Sequence, residues 1–190
     1  MSTVLIITAH PSSHNLTRGI TEIYKEEKEK QGHTVRVIDL YEEVQLPYYS
    51  FEEFPNIPVS EDAKHYQSMV SDADEIVFVY PFWWGSMPGI LKNWIDSVLT
   101  MGFAAKYGKN GRPIGLLEGR SVTVISTSGA PTVLYRFNGI RRANKKIWQK
   151  TIVEFCAMKF EGFHLFGGMD TRAKNVPKLF ASVKKLANRT

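Results

Sequence analysis

Hydrophobic positions along the chain alternate between two rhythms. Short runs of strand length, rich in β-branched and aromatic residues, occur at Thr3 to Ala9, His33 to Asp39, Ile76 to Tyr80, Ser121 to Thr127 and Phe160 to Phe166. The first and third are nearly continuously apolar, the pattern of a parallel strand covered on both faces. Between these runs, apolar residues recur at helical spacing. The pattern predicts helices over Leu16 to Gln31, Ser60 to Ala73, Pro88 to Leu99, Ile140 to Phe155 and Val176 to Ala187. The punctuation agrees: Gly32 suits a helix C-terminus, Ser60 an N-cap, and Pro88 the first helical turn, where its missing N–H costs nothing. Strands that alternate with helices, joined by right-handed crossovers, form a five-stranded parallel sheet with helices on both faces. The expected fold is a doubly wound α/β domain over residues 1–190, with strand order 2-1-3-4-5.

Such a sheet binds ligands outside the carboxyl ends of its strands, so the loops there carry the candidate chemistry. After the first strand comes the polar loop His10, Pro11, Ser12, Ser13, His14 and Asn15. It feeds a helix N-terminus, where backbone N–H groups and the helix dipole favour an anion. After the third strand, Pro81 cannot donate to a ladder, and Phe82, Trp83, Trp84 and Gly85 leave the sheet as an aromatic loop. After the fourth strand, Thr127, Ser128, Gly129, Ala130 and Pro131 are small enough for a flat ligand to approach the backbone. Together the three loops describe a site for a planar aromatic ligand with a phosphate tail. Buried aromatics more often fill cores, so Phe82, Trp83 and Trp84 alone are equally consistent with packing.

Composition narrows the function. No apolar run approaches the roughly 20 residues of a membrane span, and the start lacks a signal-peptide pattern, so a cytoplasmic protein is expected. The single cysteine, Cys156, has no neighbour at metal-ligand spacing, and no metal site is expected. A net charge of +5 admits an anionic partner, but no finger or recognition-helix pattern accompanies the basic run Arg141, Arg142, Lys145 and Lys146, so nucleic-acid binding is not expected. No Ser-His-Asp set or Walker loop is present. The stretches 40–59 and 100–118 are long and aromatic, as interface centres are, and a homodimer is expected.

Several segments also resemble a known family, the flavodoxin-like NAD(P)H:quinone oxidoreductases. The likeness spans nearly the whole chain and is most specific from Tyr80 to Asp96, with Gly102, Phe103, Ala104 and Tyr107 following. The TAHP segment from Thr8 to Pro11 and the STSG segment from Ser126 to Gly129 match in order and spacing. The resemblance implies a flavin, FMN or alternatively FAD, with NADH or NADPH as electron donor and a quinone or similar small aromatic acceptor. It places His10, Ser12, Asn15 and Leu16 around the phosphate end and Pro81, Phe82, Trp83 and Trp84 along the isoalloxazine. Thr127, Ser128, Gly129 and Tyr135 would lie at its other polar edge, Phe103 and Tyr107 on the substrate side, and Tyr135 and Arg141 in catalytic positions. Two departures stand out: Ala130 and Pro131 replace a second glycine and flexible residues, and Arg141 occupies a position where relatives often carry histidine. The compact chain favours FMN. Two other roles remain open, a flavodoxin-type electron carrier and a regulatory flavoprotein subunit of an ion-efflux system.

Overall fold

Strand β1 (Thr3–Thr8) lies at the centre of the molecule and pairs in parallel with β2 (Thr34–Asp39) on one side and β3 (Glu75–Pro81) on the other. The computed structural model describes residues 1–43, 46–48, 58–169 and 175–189. Much of the long irregular stretch expected at 40–59 falls outside these. Helix α1 (Leu16–Lys30) joins β1 to β2, and α2 (Glu61–Asp72) leads into β3. After α3 (Gly89–Val98), the short strands β4 (Ala105–Tyr107) and β5 (Pro113–Gly115) pair as an antiparallel hairpin. The chain then returns to the main sheet with β6 (Ser121–Thr127) and β7 (Lys159–Phe166), separated by helical turns, and closes with α6 (Val176–Ala187). The five-stranded sheet has the order β2-β1-β3-β6-β7. With the hairpin set aside, this is the expected 2-1-3-4-5.

The two faces of the sheet bury separate cores, as alternating side chains require. Val4, Ile6, Val77, Val79 and Ile125 meet α1 and α6, while Leu5, Ile7, Ile76, Phe78 and Val124 meet α2, α3 and the turns before β7. Side chains cap both α1 and α2: Asn15 Oδ1 accepts from the Arg18 N–H at 2.9 Å, and Ser60 Oγ, as anticipated, from the Ala63 N–H at 3.1 Å. At the amino end of β3, Lys28 and Glu75 are buried together, Nζ to Oε2 2.7 Å apart, with the Tyr24 hydroxyl donating to Glu75 Oε1. A lone buried charge would be very costly, and each of these supplies the other's counter-charge.

Three elements differ from expectation. Pro81 does not end the strand before the ladder but is its last residue, paired with Thr127. A residue's N–H and C=O point to the same side of a strand, and the side Pro81 would donate to is that of β1, whose pairing has already ended at Thr8 with Val79. The missing N–H therefore costs nothing. The stretch 100–118 contains the β4–β5 hairpin, which reaches the rest of the fold at Gly115. There a side-chain carbon would sit 2.3 Å from the Ala157 nitrogen. Finally, the single helix expected over Ile140 to Phe155 is three pieces: α5 (Ile140–Lys146) opens it, a π-helical stretch, Ile147–Val153, continues it, and a 3₁₀ turn, Glu154–Cys156, ends it; α4 (Thr132–Phe137) is a separate helix before it. The wider π turn buries Trp148, Ile152 and Val153 together, where α-helical spacing would keep Trp148 and Ile152 on one face but turn Val153 away from them.

Candidate functional site

The carboxyl ends of β1, β3 and β6 surround a cavity of about 400 Å³, within the range of small-molecule and cofactor sites. One end is formed by His10, His14, Asn15, Leu16 and Thr17, one wall by Pro81, Phe82 and Trp83, and the opposite rim by Thr127, Ser128, Gly129 and Met169.

The first end is built for an anion. Asn15 caps α1 by accepting from Arg18, which leaves the earlier N–H groups of the first turn, on Leu16 and Thr17, without intrahelical acceptors. The Asn15 amide also donates to the Ser12 carbonyl, fixing the loop against its own helix. The Ser12 N–H donates to His10 Nδ1 at 3.1 Å, so the neutral ring carries its proton on Nε2. Burial lowers the His10 pKa below its ordinary value, partly opposed by the charge of Asp39. Arg18 is engaged elsewhere, with Asp39 at 3.2 Å and Glu42 at 2.6 Å.

The aromatic wall depends on a tight turn. Trp83 and Ser86 exchange backbone hydrogen bonds at 3.0 and 2.9 Å, and the two residues between them have positive φ, 51° at Trp84 and 77° at Gly85. Positive φ at both central positions is the mark of a type I′ turn, in which Gly85 is at ease and Trp84 is not. The turn sends its two tryptophans to different places. Trp83 is 40% exposed, lines the cavity and lies against His10 with ring centroids 5.8 Å apart. Trp84 is fully exposed and stays off the cavity wall. Phe82 is buried, its ring edge-on to Tyr135 at 5.2 Å.

The third rim is held by the chain leaving β7. The Ser128 N–H donates to the Phe166 carbonyl and the Met169 N–H to the Ser128 carbonyl, both at 2.9 Å. Ser128 Oγ donates to the Ala130 carbonyl at 3.0 Å and lies 3.3 Å from the Tyr135 hydroxyl. A side-chain carbon on Gly129 would meet no heavy atom within 4 Å, so this backbone borders open space and can face a flat ligand directly. On Gly167 it would fall 2.2 Å from the Thr132 nitrogen, so that position must be glycine for the β7 exit to clasp the rim.

The structure thus brings together His10, Asn15, Leu16, Pro81, Phe82, Trp83, Thr127, Ser128 and Gly129. Ser12 supports His10 from the same loop, and Tyr135 stands behind Phe82 and Ser128. Phe103, partly buried against the core, and Tyr107, exposed on β4, do not line the cavity. Arg141 does not line it either; its Nε is buried without a hydrogen-bond partner, and its charge helps lower the pKa of His164 on β7, after burial itself. His14, named before only as part of the polar loop, joins the site, and Thr17 and Met169 join it without having been anticipated. Thr17 follows from any helix N-terminus placed there, whereas Met169 lies beyond the expected end of the last strand, where no sequence periodicity marks it.

The residues present fit a phosphate-bearing planar cofactor: uncapped helix-terminal N–H groups at one end, an aromatic wall, and a backbone rim free of side-chain bulk. Comparison with known proteins agrees. Residues 2–189 match the family described as Flavodoxin-like fold. An uncharacterized NAD(P)H oxidoreductase of Haemophilus influenzae is 32% identical over 193 residues, covering 98% of this chain and 95% of its own. The chain belongs to the flavodoxin-like NAD(P)H:quinone oxidoreductase family. An FMN-dependent NADH:quinone oxidoreductase of Caldicellulosiruptor bescii is 30% identical over 172 residues, 84% of this chain and 83% of that one. The solved structure of the NAD(P)H:quinone oxidoreductase from Methanothermobacter marburgensis superposes with a TM-score of 0.87 at 24% identity, covering 98% of this chain and 97% of that one, which establishes the shared fold. Among the described residues there is no group of side chains able to hold a metal ion, and no helix is long and apolar enough to cross a membrane.

Proposed function

We propose that this member of the quinone oxidoreductase family is a cytoplasmic enzyme, one domain over residues 1–190, that binds FMN and uses NADH or NADPH to reduce a quinone or similar small aromatic acceptor. The single observation that carries the reading is the cavity itself, in which the N-terminus of α1, an aromatic wall and an open backbone rim face one another. A bound flavin would supply the redox chemistry, two-electron transfer from the nicotinamide donor to the acceptor.

The chain's own residues bind and orient. Leu16 and Thr17 offer backbone N–H groups to a phosphate, His10 adds an Nε2–H donor, and Ser12 holds that tautomer. Phe82 and Trp83 provide the flat wall and exclude water from one side of the site. Tyr135, braced on Phe82, keeps Ser128 in place and is the hydroxyl donor assigned to the polar edge where negative charge builds. Arg141, cationic at every working pH, is assigned a longer-range part in favouring that charge. Trp84, Phe137 and Tyr107 are 105%, 87% and 66% exposed, which fits their burial in a homodimer whose second subunit completes the acceptor pocket with Phe103 and Tyr107.

Steady oxidation of NADH or NADPH dependent on both added FMN and a small quinone tests the reading. Protein that binds FMN but oxidises neither nucleotide would instead favour an electron carrier or a regulatory subunit.

A further inference from the structure

The aromatic turn is not held by its own strand alone. Three residues at successive spacings of four, Ile140, Asn144 and Trp148, form one stripe along α5 and the start of the π-helical stretch. All three meet β3 or the turn that follows it. A side-chain carbon on Gly85 would lie 3.4 Å from the Ile140 Cγ2, the Asn144 Nδ2 donates to the Gly85 carbonyl at 2.7 Å, and the Trp148 Nε1 donates to the Tyr80 hydroxyl at 2.7 Å. Trp148 and Tyr80 are fully buried, and Asn144 is 5% exposed.

We propose that Asn144 is a positioning residue for Trp83: by holding the Gly85 carbonyl, it fixes the turn that sets Trp83 against His10 at the cavity. Its amide nitrogen also donates to the Ile140 carbonyl, at 3.0 Å. Two acceptors converge on one atom, so the nitrogen, not the oxygen, must face them, and a carboxylate cannot substitute. Gly85 is the second central residue of a two-residue turn whose first, Trp84, is held at a φ that tryptophan rarely adopts. Without an outside anchor, the strain at Trp84 can relax by moving the turn, and Trp83 at its base would move with it. Asn144 thus acts from outside the cavity, through backbone, on the one wall residue that is substantially exposed.

The inference rests on the proposed flavin site for its functional consequence, but its geometric core is tested without any cofactor. Protein labelled with fluorotryptophan gives one fluorine resonance for each of its four tryptophans, assigned by single Trp→Phe replacements. In apo Asn144→Leu, the resonances of Trp83 and Trp84 should shift or broaden while that of Trp94, on α3, stays in place. Asn144→Ser, which retains a donor, should move them less, and Asn144→Asp should disturb them at least as much as Leu. In parallel, FMN should bind Asn144→Leu about tenfold more weakly, as expected when a buried hydrogen bond that orders a site is lost. Unchanged Trp83 and Trp84 resonances in the Leu and Asp variants would overturn the proposal, even if melting temperature falls, because Asn144 would then serve only the helix. If wild-type protein takes up no FMN, the flavin reading fails, while the fluorine spectra still decide the role of Asn144. If Asn144→Leu does not fold, the Asp and Ser pair carries the same comparison.

Discussion

The backbone N–H of Phe82, one step beyond the end of β3, donates to the carbonyl of Thr127, the last paired residue of β6, at 2.7 Å. This bond carries the sheet's register into the site, so that the aromatic wall and the small-residue rim leave their strands at a fixed separation. Neither loop can move alone without breaking it.

Trp83 and Trp84 should therefore separate on mutation. Trp83→Ala removes a ring from the cavity wall and should weaken FMN binding by about 0.5 to 1.5 kcal/mol beyond lost area, roughly two- to tenfold or more. Trp84→Ala relieves nothing buried and should change stability of the isolated subunit by less than about 0.5 kcal/mol. Flavin titrations beside thermal melts distinguish them. Equal loss of flavin affinity in both would contradict the geometry of the turn.

Gly167 and Gly115 make a second pair. Both approach backbone so closely that a methyl group forces something to shift: Gly167 against Thr132 at the site's rim, Gly115 against Ala157 far from it. Either replacement by Ala should destabilise by about 1 to 3 kcal/mol. Only Gly167→Ala should also weaken FMN binding, because its neighbour belongs to the loop that positions Ser128 and Tyr135. Chemical denaturation with flavin titration on both variants checks this.

Acid should erode stability partly through His164. Its pKa is lowered below the ordinary 6.5 by burial first and then by the charges of Arg141 and Arg189. The unfolded chain thus takes up a proton that the folded one refuses, so stability is full above about pH 6.5 and declines as pH falls through the folded pKa. His164→Gln should flatten the decline in melting temperature between pH 7 and about 5, with His10 responsible for part of what remains. Titration by NMR should show the His164 pKa rising in Arg141→Gln. The same variant should lower the midpoint potential of bound flavin by roughly 30 mV, the equivalent of about 1.4 kcal/mol for a two-electron couple. An unchanged potential would confine Arg141 to its effect on His164.

Much of this was legible in the sequence, for identifiable reasons. The strands β1, β3 and β6 are buried on both faces, so Val4 to Ile7 and Ile76 to Val79 carry unbroken apolar runs, and the order of the main sheet followed from connection rules. The polar and aromatic loops were legible because Asn15, Pro81 and Gly85 are residues whose backbone chemistry marks a boundary. What was not legible depends on contacts between distant segments. Nothing local distinguishes Trp83 from Trp84: the φ of the turn decides which ring meets His10, and Asn144, 59 residues on, grips that turn. Lys28 reads as one more charge on a surface helix until Glu75 closes over it. The β4–β5 hairpin is too short for periodicity, and the π-helical stretch has the composition of an ordinary helix.

The most direct test of the central claim is the flavin itself. Protein purified in the presence of FMN, then freed of excess, should show a flavin absorption spectrum and release FMN on denaturation at close to one per subunit. Trp83→Ala should lower that occupancy, while Trp84→Ala should leave it unchanged in the isolated subunit. A wild-type protein that remains colourless and whose tryptophan emission is untouched by FMN or FAD at any workable concentration would contradict the account.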